Sequence, residues 1–123
     1  MCLHILVADD NDVNQILIGT MLRKLGHQTE IVSNGKQALE KALIEKYDLI
    51  FMDIEMPVMD GLQATQELRK TDLITPVIAC TGHSFLDEDH EILKIGINDC
   101  LVKPYRLNDI SRMIAKWAGT FQT

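Results

Sequence analysis

Residues 49–53 read Leu-Ile-Phe-Met-Asp, four large apolar side chains followed at once by a carboxylate. An unbroken apolar run of this length is typical of a strand that is buried on both faces of a parallel sheet. Longer amphipathic stretches separate it from four other short runs: Ile5 to Ala8, Thr29 to Val32, Val77 to Cys80, and Asp99 to Val102. This alternation predicts a doubly wound α/β fold with a five-stranded parallel sheet and five helices.

The intervening stretches read as helices because their apolar residues recur at steps of three and four. The last one is the clearest, with Ile110, Met113, Ile114 and Trp117 on one face. Polar and glycine residues mark the expected helix ends. Asn34-Gly35 and Asp60-Gly61 stand at two helix starts, Asp10, Asn11 and Asp12 are all good caps for a first helix beginning near Val13, and Gly26 and Gly96 stand at two helix ends.

Length and composition predict one domain over residues 1–123, because 46% hydrophobic content is enough for a single core. The net charge of -6, without a dense basic stripe, argues against direct nucleic-acid binding. No apolar run approaches the roughly 20 residues that a membrane-crossing helix needs. We therefore expect a cytoplasmic protein that contacts neither nucleic acid nor membrane directly.

Cysteine and histidine spacing predicts neither disulfides nor a local zinc motif. The three cysteines, an odd number, favour reduced thiols, and Cys80 and Cys100 fall in neighbouring predicted strands, where a small buried role is expected. The four histidines form no close His-x-x-His or His-x-x-x-His pair.

Polar side chains follow four of the five predicted strands. Asp9 and Asp10 end the first strand, Asp53 the third, Thr81 the fourth, and Lys103 the fifth. In a doubly wound sheet the ligand binds beyond the carboxyl ends of the strands, so these residues are expected to converge.

The converging residue types favour phosphoryl chemistry. Carboxylates held about 4 Å apart repel by roughly 4 kcal/mol per pair at an effective dielectric near 20, so a cation is expected between them. An all-oxygen site suits Mg²⁺, with Mn²⁺ as the alternative ion. Asp53 is then a competent nucleophile toward phosphorus, with Thr81 and Lys103 as partners for the phosphoryl oxygens.

Each residue taken alone also has an ordinary structural interpretation. Asp9 and Asp10 can be turn or capping residues, Asp53 a solvated strand end, Thr81 part of a turn, and Lys103 a surface lysine before proline. What favours a site is the coincidence of four such features at one edge of the sheet.

Four motifs together resemble the receiver domain of response regulators, over essentially the whole chain. They are LVADDND (residues 6–12), FMDIEMPVMDG (51–61), TPVIACTG (75–82) and INDCLVKP (97–104). The resemblance implies a flavodoxin-like fold with strand order 2-1-3-4-5. NDVNQ and MPVMDGLQAT are most similar to receivers of hybrid sensor histidine kinases.

The resemblance also implies roles for individual residues. Asp53 would be phosphorylated by a phosphohistidine on a sensor histidine kinase or histidine phosphotransfer protein. Asp9, Asp10 and Asp53, with the backbone carbonyl of Glu55, would hold the metal ion. Thr81 would sense the phosphoryl group, Lys103 would bind it, and Pro104 would follow a cis peptide bond. The chain would be a monomer or weak dimer that catalyses only its own phosphorylation and dephosphorylation.

One position departs from the family pattern. Cys100 stands three residues before Lys103, where the family often has a Tyr or Phe that reports phosphorylation, and Tyr105 is aromatic at a different position. Two other functions remain open at this point. One is a receiver-like interaction module that does not use phosphate; the other is an aspartate-nucleophile phosphatase, which usually has an aspartate where Glu55 stands.

Overall fold

Five parallel strands form one sheet in the order β2-β1-β3-β4-β5. The structure is a computed structural model and describes residues 2–56, 58–82 and 94–118. All five predicted runs are strands, and the order is the one that the resemblance implies. Their bounds are β1 (His4–Ala8), β2 (Gln28–Val32), β3 (Leu49–Asp53), β4 (Val77–Thr81) and β5 (Asp99–Val102).

Four complete helices lie within the described residues: α1 (Asp12–Lys24), α2 (Gly35–Ile44), α3 (Gly61–Leu68) and α4 (Leu107–Trp117). The first begins one residue before the predicted Val13, because the side chain of Asn11 caps it by accepting from the Asn14 amide at 3.0 Å. Among these helices, none is long and apolar enough to cross a bilayer.

A further predicted helix, between β4 and β5, falls largely in residues 83–93, outside the described residues. With it lie the acidic residues expected to open it, Asp87, Glu88 and Asp89. Lys94 and Ile95 are helical, and Gly96 follows with φ 114°, which is where the sequence predicts the helix to end.

The central strand β3 divides the core into two layers because successive side chains point to opposite faces. Leu49 and Phe51 pack with the buried faces of α1 and α4, while Ile50 and Met52 pack with those of α2 and α3. All five residues of β3, Asp53 included, are buried. The continuous apolar run in the sequence therefore reflects burial on both faces.

The two buried cysteines lie on opposite faces of the sheet. Cys100 pairs with Ala79, so Cys80 is one residue out of register with it. Cys80 packs in the α1–α4 layer and Cys100 in the α2–α3 layer. Both thiols are reduced and occupy apolar surroundings, as the sequence predicts.

Substituting Gly61 by alanine is expected to destabilise the fold. A Cβ atom there would lie 2.3 Å from the carbonyl oxygen of Asp53 and 3.0 Å from its carbonyl carbon, so the start of α3 would be pushed away from the end of β3. Overpacking of this kind costs about 1–3 kcal/mol of unfolding free energy. Urea unfolding of Gly61→Ala checks this value. Gly82→Ala is the control, because no atom of the described residues lies within 4 Å of its Cβ position, and it should stay within about 0.5 kcal/mol of wild type. Equal stability of the two variants would contradict the close approach.

Candidate functional site

The sheet register brings three carboxylates together at one edge. Ala8 pairs with Met52 across β1 and β3, so Asp9 and Asp53 follow side by side. Oxygen atoms of Asp9, Asp10 and Asp53 lie within 4.8 Å of one another. Asp9 and Asp53 are buried, while Asp10 is exposed, so the cluster opens to solvent on the Asp10 side.

Lys103 reaches this cluster from the end of β5. Its Nζ lies 2.9 Å from Asp53 Oδ2 and 3.5 Å from Asp9 Oδ2. The Lys103 amide also donates to the Thr81 carbonyl oxygen at 2.7 Å, which extends the pairing of β4 with β5. The peptide bond between Lys103 and Pro104 is cis, as the resemblance implies. The sequence-predicted residues Asp9, Asp10, Asp53 and Lys103 are thus assembled in one place.

Backbone amides fix the orientation of the two buried carboxylates. Asp9 Oδ1 accepts from the Asn11 amide at 2.9 Å, and Asp53 Oδ1 accepts from the Glu55 amide at 3.0 Å. Each carboxylate therefore has one oxygen held by the backbone and one directed at Lys103.

Gln15 is a residue of this region that the sequence did not single out. Its side-chain amide on α1 donates to the Asp9 carbonyl oxygen at 2.6 Å and lies 3.3 Å from Ser33 Oγ. It ties the first helix to the strand end that carries Asp9. The sequence signal that could have identified Gln15 is its position in the first turns of the helix that follows Asp9 and Asp10.

Burial and neighbouring charges shift the pKa values of Asp9 and Lys103. Burial raises the pKa of Asp9, and the Asn11 amide and the Lys103 ammonium offset this only in part. Burial alone would lower the pKa of Lys103, but its hydrogen bond and attraction to Asp53, with the charge of Asp9, raise it overall. Lys103 is therefore held as an ammonium ion, and three carboxylates face this one cation.

Thr81 supplies a buried hydroxyl without a partner. Its Oγ1 is inaccessible to solvent and finds no hydrogen-bond partner among the described residues. A buried, unpaired hydroxyl costs about 1–3 kcal/mol relative to a paired one, so this group gains most from a ligand that can accept its proton. A phosphoryl oxygen is such an acceptor.

The residues present fit a hard divalent cation. Three carboxylates against one ammonium leave two negative charges uncompensated, and the donor atoms at the cluster are all oxygens. Mg²⁺ takes one or two carboxylates and keeps several waters, which suits a site whose third member is exposed. The charge and the donor set both match this ion.

The aromatic residue that follows Pro104 is part of the core. Tyr105 is 6% exposed and packs in the α1–α4 layer with Cys80 and Ile110. Burial raises the pKa of its hydroxyl, so the phenol stays neutral. Cys100 lies on the opposite face of the sheet, hence Tyr105 does not replace the aromatic residue that the family often has there.

Comparison with known proteins agrees with this geometry. The response regulator receiver domain family matches residues 5–115. Sensor histidine kinase GacS of Pseudomonas protegens is 35% identical over 121 residues, which are 94% of this chain and 13% of that protein. Hybrid signal transduction histidine kinase G of Dictyostelium discoideum is 42% identical over 120 residues, 94% of this chain and 4% of that protein. The chain thus spans a small part of the relatives it matches.

A solved structure extends the likeness to three dimensions. The receiver domain of sensor histidine kinase PA1611 from Pseudomonas aeruginosa, which holds a magnesium ion in its active site cleft, superposes with a TM-score of 0.87. The two are 39% identical, and the likeness covers 97% of this chain and 99% of that one. From its sheet order, its acidic cluster with Lys103, and these relatives, the chain belongs to the response regulator receiver domain family.

Proposed function

We propose that this chain is a phosphorylation-controlled switch in which Asp53 accepts a phosphoryl group from a phosphohistidine. The observation that carries the proposal is the ion pair of Asp53 with Lys103 beside Asp9, together with the Thr81 hydroxyl at the end of β4, which has no partner among the described residues. A nucleophilic carboxylate, a fixed cation and an unused donor together match a site that receives a phosphoryl group.

The transfer forms one bond and breaks one. A carboxylate oxygen of Asp53 attacks phosphorus, the new O–P bond forms, and the N–P bond to the donor imidazole breaks; the imidazole keeps the electron pair and takes up a proton. Lys103 turns its ammonium from the carboxylate to a phosphoryl oxygen, and Thr81 donates its hydroxyl proton to another. The chemistry that Mg²⁺ supplies when held by Asp9, Asp10, Asp53 and the Glu55 carbonyl is neutralisation of the phosphoryl charge. Mn²⁺ has the same ligand preference.

The chain acts as a switch and carries out no turnover of a separate substrate. A hydrogen bond from the Thr81 hydroxyl to the phosphoryl group and the movement of Lys103 both favour one arrangement of the ends of β4 and β5. A partner that binds this arrangement better shifts the population toward it. We therefore propose that phosphorylation controls a partner through differential binding.

Metal dependence tests the proposal directly. The chain is incubated with acetyl phosphate, a small acyl phosphate donor, with and without Mg²⁺, and covalent phosphate is measured by intact mass. Phosphorylation is expected with Mg²⁺ and only background after chelation. Mn²⁺ should restore it. Phosphorylation that is unaffected by chelation would exclude the carboxylate site, and no phosphorylation under any condition would favour an interaction module that does not use phosphate.

The donor protein is proposed to dock on α1. This helix starts directly after the acidic pair, and a donor whose imidazole reaches Asp53 must cover it. The start of α1 presents Val13, Ile16 and Leu17, which are 72%, 69% and 43% exposed, and Ile16 borders a groove of about 550 Å³ toward β2. An apolar surface adjoining the phosphoacceptor suits a histidine kinase or histidine phosphotransfer domain.

Replacing Ile16 by aspartate is expected to slow phosphoryl transfer from a protein donor and to leave transfer from a small-molecule donor unchanged. A charge in the docking surface should lower the rate of transfer from a phosphorylated histidine phosphotransfer protein by about tenfold or more, since a central contact is worth over 1 kcal/mol. Transfer from acetyl phosphate should stay unchanged, because a small donor needs no docking surface. Leu73→Asp is the control: Leu73 is 80% exposed but precedes β4, at the opposite end of the sheet. If Leu73→Asp slowed protein transfer equally, the α1 docking surface would be wrong.

A further inference from the structure

A second group of metal-ligating side chains lies far from Asp53. Among the described residues, two clusters place three carboxylate, imidazole or thiol groups within 4.8 Å, and the second is His4, Glu30 and Glu45. His4 is the first residue of β1, Glu30 lies in β2, and Glu45 follows α2. Asp53 ends β3, so the two clusters are at different ends of the sheet.

The two separations from His4 Nε2 are close to those that a tetrahedral ion requires. His4 Nε2 lies 3.2 Å from Glu30 Oε1 and 3.9 Å from Glu45 Oε2. With Zn²⁺–ligand bonds of about 2.0–2.2 Å, neighbouring ligand atoms of a tetrahedron are about 3.3–3.6 Å apart. The ligand atoms of Glu30 and Glu45 lie within 4.8 Å of each other, so the three side chains would draw closer together to share one ion.

The second nitrogen of His4 supplies an independent argument. Nδ1 lies 3.3 Å from the Lys46 carbonyl oxygen, and because a carbonyl only accepts, this contact requires the proton on Nδ1. When Nε2 carries no proton, its lone pair faces Glu30 and Glu45, as it would toward a cation shared by the three side chains. Metal-binding histidines usually donate their other N–H to a carbonyl or carboxylate in this way.

Neighbouring groups hold the ligands in place. The Tyr47 hydroxyl donates to Glu30 Oε2 at 2.8 Å, which leaves Oε1 for the ion, and its ring packs against His4 at 4.4 Å. The same hydroxyl lies 3.3 Å from Glu45 Oε2, so Tyr47 contacts both carboxylates of the cluster. The set of one imidazole and two carboxylates suits Zn²⁺ and differs from the all-oxygen set at Asp53.

We propose that His4, Glu30 and Glu45 form a binding site for Zn²⁺ or a similar transition-metal ion that links β1, β2 and the end of α2. The Lys41 ammonium would compete with the metal ion for the two carboxylates. Its Nζ lies 3.4 Å from Glu30 Oε2 and 3.8 Å from Glu45 Oε1, and its side chain is 43% exposed. It neutralises part of the cluster without the ion and can move into solvent when the ion binds.

Zinc titration of the whole chain tests the site. Calorimetry with Zn²⁺ and NMR of the histidine ring protons are carried out with Cys2→Ser, so that the exposed thiol does not contribute, and with millimolar Mg²⁺ present. Saturable binding should shift the His4 ring signals. His4→Gln should weaken binding at this site at least about tenfold, and Glu45→Gln is a second variant should the first fail to fold. Lys41→Met should strengthen binding about twofold to fivefold, because a competing charge is removed.

Three results would overturn the proposal. They are no saturable shift of the His4 signals in the parent chain, unchanged affinity in both ligand variants, and weaker binding in Lys41→Met.

Discussion

Replacing Asp53 by asparagine is expected to reduce phosphoryl incorporation to background. Asparagine has the same shape, so it can still accept from the Glu55 amide, but its amide lacks the charge and nucleophilicity of the carboxylate. Intact mass after incubation with acetyl phosphate and Mg²⁺ measures the effect.

The matched control for this variant is Asp60→Asn. Asp60 is a nearby carboxylate that caps α3 by accepting from the Gln63 amide at 2.8 Å, and asparagine caps equally well. This variant should be phosphorylated as wild type is. Full phosphorylation of Asp53→Asn would mean that another residue is the acceptor.

Replacing Lys103 by methionine is expected to slow phosphoryl transfer by about 100-fold to 1000-fold, the usual effect of removing one charged or hydrogen-bonding group that stabilises a transition state. Methionine keeps the apolar stem but loses the ammonium that lies 2.9 Å from Asp53 Oδ2. Rates are compared by single-turnover transfer at saturating Mg²⁺.

Binding of Mg²⁺ distinguishes a chemical role of Lys103 from a structural one. The variant has the same three carboxylates and one positive charge fewer, so its Mg²⁺ affinity should be equal or higher. Lys70→Met is the control, because Lys70 is 69% exposed and pairs only with Glu67 among the ion pairs described. Loss of Mg²⁺ binding in Lys103→Met would show that the lysine only maintains the structure of the site.

The fold was predictable because its signals are local. The run at residues 49–53 is apolar throughout since both faces of β3 are covered, and Asn34 and Asp60 mark helix starts through side-chain capping bonds. Such signals depend on a few neighbouring residues. Strand order depends on distant pairing, and it came from the resemblance.

The candidate site was predictable as far as strand ends define it. Asp53 ends β3, and Asp9 and Lys103 directly follow β1 and β5, so parallel pairing brings them together. Gln15 was missed because its contact with the Asp9 carbonyl depends on how α1 packs against the sheet. The roles of the assembled residues in phosphoryl transfer remain predictions.

Rules based on the sequence spacing of metal ligands could not detect the cluster of His4, Glu30 and Glu45. Those rules detect ligands on one helix or loop, whereas these three residues come from β1, β2 and the end of α2. His4 and Glu30 meet because β1 and β2 are neighbours, and Glu45 meets them because α2 ends above that edge of the sheet. Only the tertiary structure brings them within reach of one ion.

Locating the phosphate tests the central claim most directly. The phosphorylated chain is treated with borohydride, which reduces an aspartyl phosphate to homoserine, and peptides are sequenced by mass spectrometry. Homoserine is expected at position 53 in the sample with Mg²⁺ and not in the chelated sample. Phosphate on a histidine, or homoserine at Asp9, Asp10 or Asp60 with Asp53 unchanged, would contradict the account.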